Sequence, residues 1–274
     1  VTGQSISKMI GGRHREKVAV YGYGMMLRKE DFNSLTDRFE EEAASIKMSG
    51  FVATKMKVGL GIDKDLKLAE AVRKGIGDNF KFMVDANHCY TLGDALYIGR
   101  GLEELKAFWF EEPVAPEDYN GYKELRKKLD IKIAGGETEF TRWGWRGLFE
   151  NECLDIAQPE VCALGGISEY LKVIALAHSF FVPVVNHVWG SDLAVAINLQ
   201  LLAAMPPLPG GLFPAEPILE FDTTANRFRD NFLTSPLDIK GQVKKNDGYV
   251  SIPDSPGIGV EPDRSFIKKY TISE

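Results

Sequence analysis

Short apolar runs alternate with longer amphipathic segments along most of the chain, and three of the runs end in an acid. KFMVDAN reaches Asp85, AFWFEEP reaches Glu111 and IKIAGGE reaches Glu137, in two steps of 26 residues each. Such a step holds a strand of about 5 residues, a helix of about 11 and two short loops. The pattern therefore predicts a βα repeat. In a parallel array the C-terminal strand ends share one rim, so the three carboxylates are expected there together. The run FVATKMKVG before them carries Lys55 and Lys57 two residues apart, hence on one face of a strand.

The same alternation extends both ways. VAVYGYG (18–24) reads as a strand, followed by the helix 33–50 with Asn33 or Ser34 as its N-cap and Gly50 as its stop. Further units follow: 53–59 with 63–77, KFMVDAN with 92–105, 107–113 with 119–129, and 131–137 with 142–151. LDIAQPE leads into 166–180, VPVVNH into 191–205, and GLFPAEP (211–217) is the last strand candidate. Gly99 and Gly101 weaken the helix that contains them. Eight strand candidates and seven connecting helices predict a closed (β/α)8 barrel over 17–216. A doubly wound sheet is the alternative, but YGYGMML lacks the GxGxxG spacing of a phosphate loop. Residues 217–274 lose the repeat and are expected to pack outside the barrel, with a hairpin at Asn246-Asp247-Gly248 between GQVKK and GYVSIP.

Composition narrows the classes. A chain of 274 residues, 44% hydrophobic and 26% charged, suits one large α/β domain. A net charge of −6, with no long Lys/Arg run, argues against a nucleic-acid partner. Three cysteines without CxxC spacing indicate neither a disulfide framework nor a zinc site. With no apolar span of about 18 residues and no signal-peptide core, a soluble cytoplasmic protein is expected, without a membrane partner.

Read in order, the strand ends give Lys57, Asp85, Glu111, Glu137, Glu160 and His187, with Glu216 a weaker last member. Three carboxylates without Cys or His favour Mg²⁺, or Mn²⁺, over zinc. Such an ion on a substrate carboxylate accommodates the charge that develops when the neighbouring C–H proton leaves. Lys57 would serve as base if Lys55 and the metal depress its pKa. His187 would act from across the barrel, with Glu160 fixing its tautomer.

KMK at 55–57, VDAN ending in Asn87, WFEEP, GGE and NHVWG together resemble the enolase superfamily, mandelate racemase subgroup, over nearly the whole chain. VDANHCYT, WFEEPVAPED, HVWG and AEPILEFD with NRFR most resemble its acid-sugar enzymes: the galactarolactone and 3,6-anhydrogalactonate cycloisomerases and the acid-sugar dehydratases. The resemblance implies a Mg²⁺-stabilised enediolate, Asp85, Glu111 and Glu137 as metal ligands, and Lys57 and His187 as bases on opposite faces. It places Lys55 and Glu160 in the catalytic machinery and Asn87 at the substrate. Glu216 reads either as an acid near the substrate or as a loop carboxylate. A small-molecule sugar acid or lactone and a homo-oligomer, dimer or octamer, are implied as partners. Two departures stand out. Glu160 replaces the subgroup's usual Asp, and its extra methylene is expected to displace His187. VTGQSISKMIGG resembles only the last helix of the family's N-terminal capping domain, so residues 1–16 read as its remnant and linker, with most of that domain absent from this chain.

Each residue has a duller reading. A single strand-end acid is usually a solvated charge or a cap; three after apolar runs argue otherwise. Glu112 is expected in a structural ion pair, His88 and His178 in structural roles, Trp189 in packing and Gly165-Gly166 in a turn. Cycloisomerisation is the expected outcome, with dehydration or racemisation as alternatives. A catalytically silent barrel serving as a binding module is the non-enzyme alternative.

Overall fold

The computed structural model describes residues 2–208 and 216–272, apart from the side chain of Phe228. Its strands are β1 Lys17–Tyr23, β2 Ala53–Lys57, β3 Lys81–Asp85, β4 Trp109–Glu111, β5 Lys132–Gly135, β6 Ile156–Ala157, β7 Ile218–Asp222 and β8 Tyr249–Ser251. The first seven form one parallel sheet in the order β6-β5-β4-β3-β2-β1-β7, and β8 adds antiparallel to β1. Beyond β6 a single parallel bridge, Ala157 to Val184, brings in the run 182–187. That run packs as a strand but forms little ladder.

The sheet is curled. Tyr21, Ala53, Met83, Trp109, Ala134, Ile156 and Val185 form one buried cluster, and Ile218 packs against it. Neighbouring strands lie ~4.8 Å apart, so a flat sheet would separate β6 from β7 by roughly 30 Å. Only a curled sheet gathers one residue from every strand. Such a curl is compatible with the expected eight-stranded barrel. Between 184–188 and β7 the link is a side chain, Glu220, whose Oε2 accepts from Val188 N at 2.8 Å. The opposite faces of the strands pack against the surrounding helices in a second, larger apolar cluster.

Local chemistry accounts for several departures from expectation. The first long helix is Phe32–Met48, and its N-cap is Asp31, which accepts from the backbone of Asn33 and Ser34. Asp31 stands one turn before the apolar period begins, where a cap is needed. Helix Leu92–Glu104 runs unbroken through Gly99 and Gly101. A Cβ on Gly99 would meet Leu129 at 2.4 Å and one on Gly101 would meet Leu66 at 2.5 Å, so both glycines permit close helix contacts. The strand beside β1 is Ile218–Asp222, past the expected barrel end at 216. In GLFPAEP, residues 211–215 lie outside the described residues. The tail forms no hairpin of its own: GQVKK lies in the helix Ile239–Lys245, capped by Asp238, and Tyr249–Ser251 pairs with β1. Asp247 and Gly248 do turn the chain, with φ of 51° and 90°. The segment 1–16 contributes one short helix, Ile6–Met9, tied to the helix Asp192–Ala204 through Ser7 and Gln200.

Candidate active site

The inward residues of each strand form two tiers. The lower tier is the apolar cluster. Two residues further along, on the same face, Ala53 gives way to Lys55, Met83 to Asp85, Trp109 to Glu111, Ile156 to Gln158, Val185 to His187 and Ile218 to Glu220. Asp85 lies opposite Glu111 in this charged tier, whereas on β2 the register sets Lys57 opposite Asp85 and Lys55 one step lower, opposite Met83. Glu137 arrives differently. Glu111 pairs with Ala134, and the chain turns back through Gly135 and Gly136 to bring Glu137 to the rim. Gly136 has φ of 108°, and a Cβ there would lie 2.3 Å from Trp145; a glycine is required.

One ligand atom each from Asp85, Glu111 and Glu137 lies within 4.8 Å of the others, the first two residues buried and the third half-buried. Glu137 Oε2 is buried and makes no hydrogen bond, although it faces the His187 imidazole, Nε2 at 3.2 Å. Three oxygen donors with an unsatisfied buried carboxylate oxygen fit a hard divalent cation, so this triad could hold a metal ion. Glu111 is fixed on its other side by Trp109 Nε1 at 2.9 Å and Gln158 Nε2 at 2.8 Å, both donating to Oε2.

The two lysines divide their work. Lys57 donates to Asp85 Oδ2 and, at 2.8 Å, to Asn87 Oδ1. Asn87 in turn donates its backbone N–H to Asp85 Oδ1 at 3.0 Å. Lys55 is buried, its Nζ 2.5 Å from Glu111 Oε1 and 2.5 Å from Glu220 Oε1. Burial opposes its charge, but Glu111, Glu220 and Asp85 hold the ammonium protonated. Lys55 is thus the hub of a buried ion network below the rim.

His187 donates Nδ1–H to Glu160 Oε2 at 2.9 Å, and its Nε2 lies 3.2 Å from Glu137 Oε2. Glu160 reaches the ring through its longer side chain, and its other oxygen accepts from Cys162 N at 2.8 Å. Burial disfavours the imidazolium, yet the Glu160 hydrogen bond with the charges of Glu220 and Glu137 pushes it up to about 9.

A cavity of about 290 Å³ opens over this tier, lined by Lys57, Asn87, Glu137, His187 and Glu220, with Tyr23, Met26 and Trp189 as its less polar walls. Trp189 is 62% exposed and lines the cavity instead of packing. Glu216 does not reach the site. It lies at the surface in an ion pair with Arg15 Nε at 3.1 Å. The residue missed from sequence is Glu220, which stands one alternation past Ile218. Its signal was an acid between two apolar residues inside ILEFD. Glu112 Oε2 lies 3.1 Å from His88 Nε2, but burial and the charges of Glu137, Glu111 and Asp85 push its carboxyl up to about 9, which works against the expected ion pair.

Residues 38–266 match the enolase C-terminal domain-like family. The chain is 40% identical to the D-galactarolactone cycloisomerase of Agrobacterium fabrum, over 99% of this chain and 70% of that protein. It is 32% identical to the arabinonate dehydratase of Saccharolobus solfataricus, over 97% of this chain and 66% of that protein. The 3,6-anhydro-D-galactonate cycloisomerase from Zobellia galactanivorans superposes with a TM-score of 0.86 at 37% identity, covering 99% of this chain and 71% of that one. Its relatives thus include cycloisomerases and sugar-acid dehydratases, and the tier of Lys57, Asp85, Glu111, Glu137 and His187 stands where apolar strands end. The chain belongs to the enolase C-terminal domain-like family.

Proposed function

We propose that the protein removes the proton α to the carboxylate of a sugar acid or its lactone and expels a ring oxygen, a cycloisomerisation. The observation that carries this reading is the triad Asp85, Glu111 and Glu137, whose member Glu137 lines one cavity together with an amine, Lys57, and an imidazole, His187. Mg²⁺, or Mn²⁺ of the same hard character, would be held by the triad and would supply positive charge to the substrate carboxylate. Lys57 stands at the Asp85 end of the triad and His187 at the Glu137 end, so proton exchange has a group at each end. Glu160 occupies Nδ1 of His187 and leaves Nε2 as the atom that gives or takes a proton. Lys57 Nζ, oriented by Asp85 and Asn87, does the same at its end. Tyr23, Met26 and Trp189 limit the approach of water from above.

Loss of a β-hydroxyl instead of a ring oxygen would make the enzyme a dehydratase, and the arabinonate dehydratase among the relatives favours this second reading. Return of the proton to the opposite face would make it a racemase or epimerase. A homo-oligomer, dimer or octamer, acting in the cytoplasm completes the proposal; the three cysteines are free, as a reducing compartment calls for. The test is incubation of sugar acids and lactones with Mg²⁺ in heavy water. Deuterium is expected at the α-carbon, lost in Lys57→Ala or His187→Asn according to the face attacked, and product masses separate isomerisation from loss of water. Absence of exchange across the panel would leave the binding-module reading in its place.

A further inference from the structure

The turn that carries His187 is held by side chains. Among the described residues, the recorded backbone hydrogen bonds of the run 182–188 end at Val185, which donates to Ala157 O at 3.0 Å. From there on the anchors change character. Val188 N donates to the Glu220 carboxylate at 2.8 Å, and the His187 ring is tied to Glu160. Asn186, directly before His187, faces away from the cavity into the helices. Its Oδ1 accepts from Tyr170 OH at 2.7 Å, and its Nδ2 donates to Asn198 Oδ1 at 2.7 Å. Asn198 then donates from Nδ2 to Ala194 O at 2.9 Å, within its own helix. All three side chains are buried.

We infer that Tyr170 and Asn198 are positioning residues for His187, acting through Asn186. Tyr170 belongs to the helix Ile167–Ser179 and Asn198 to the helix Asp192–Ala204. The relay fixes residue 186 against two helices at the point where the ladder stops. Adjacent residues of a strand face opposite sides, so rotation of Asn186 out of this clamp swings the imidazole away from Glu160 and Glu137. A relay that served stability alone could be replaced by apolar side chains at little cost, since removing both partners of a buried hydrogen bond is nearly neutral. The placement of His187 could not be replaced in that way. The inference rests on the reading of His187 as a proton-transfer group, and its test reads the ring without requiring turnover.

The triple variant Tyr170→Phe/Asn186→Leu/Asn198→Leu, which removes every partner of the relay, is compared with Asn198→Leu alone. Thermal unfolding of the triple variant is expected to recover most of the loss seen in the single variant. The His187 Nδ1–H proton, followed by NMR in the metal-free protein, is expected to exchange with water roughly fivefold faster in both, the factor that corresponds to one net hydrogen bond. Tyr170→Phe keeps the core volume and should accelerate the same exchange severalfold. Where α-deuterium exchange is measurable, the face served by His187 should slow in all three variants while the face served by Lys57 holds its rate. Wild-type exchange of the Nδ1–H proton in any folded variant of the three overturns the proposal, whatever the fate of the catalytic reading.

Discussion

Lys55 and Glu220 stand 2.5 Å apart, Nζ to Oε1, although their strands β2 and β7 are separated by β1. The contact crosses the curled sheet and ties the lysine half of the site to the turn that carries His187, because the other Glu220 oxygen accepts from Val188 N. Removing the ammonium leaves the Glu220 carboxylate buried without the cation 2.5 Å away that favours its charge, and takes from Glu111 the charge that pulls its carboxyl down. Lys55→Met is therefore expected to lower stability by about 3–5 kcal/mol, the usual cost of breaking a buried ion pair from one side. Lys57 is 19% exposed, so Lys57→Met should cost well under half of that while removing the proton-transfer amine. Denaturant unfolding of the two variants checks the contrast; equal losses would contradict the hub role of Lys55.

Glu160 acts on His187 through charge as well as geometry. Its hydrogen bond, with Glu220 and Glu137, raises the imidazole to about 9 against the opposing effect of burial. In Glu160→Gln the acceptor oxygen remains and the charge is lost, so the imidazole should titrate lower, moving toward the ordinary value of about 6.5. The protonated ring then disappears from the neutral range in the metal-free protein. A titration of His187 by ¹⁵N NMR reads this directly, and an unmoved midpoint would show that Glu160 serves only as an anchor.

Much of this site was legible because its residues obey strand alternation. Asp85, Glu111 and His187 each follow an apolar interior residue by two positions, and an acid or imidazole ending an apolar run is conspicuous. Glu220 obeys the same rule after Ile218 but sits inside ILEFD, where a neighbouring acid-proline pair, Glu216-Pro217, looked more like a strand end. The equal spacing of 26 residues proved structural for only one step. Asp85 pairs with Glu111, whereas the partner of Glu111 is Ala134, and Glu137 depends on a glycine turn that spacing does not encode. The hairpin expected near Asn246 failed because Asp238, eight residues upstream in the chain, caps a helix across GQVKK. Caps of this kind are local, but the pairing of distant strands is not, and no pattern within ILEFD says which strand it will meet.

Gly136 is the hinge on which the third carboxylate depends. Its φ of 108° lies in a region that L side chains rarely adopt, and an added Cβ would collide with the buried Trp145 ring at 2.3 Å. Gly136→Ala combines backbone strain with overpacking, for an expected loss of about 2–4 kcal/mol. Relief of the clash requires movement of the turn, and Glu137 moves with it. Metal affinity should therefore fall along with stability. Unfolding and Mg²⁺ titration of this variant test both; a wild-type affinity would mean that Glu137 is placed by something other than this turn.

The pH dependence of metal binding follows from Glu111. Burial and the neighbouring Asp85 charge push its carboxyl up to about 8, against the pull of Lys55, while Asp85 is held down to about 2 despite burial because Lys55 and Lys57 favour its charge. A metal ion binds the deprotonated carboxylate. Below about pH 8 it must displace the Glu111 proton, a contribution of about tenfold in apparent affinity for each pH unit that vanishes above that value. Asp85 is already ionised throughout that range and adds no slope. His187 adds a second contribution, since a cation at Glu137 opposes a proton on the ring 3.2 Å away. Calorimetric titration of Mg²⁺ at pH 7, in buffers of different ionisation enthalpy, counts the protons released. His187→Asn should remove the imidazole share and leave the Glu111 share, whereas a buffer-independent heat in that variant would mean that Glu111 is already ionised before the metal arrives.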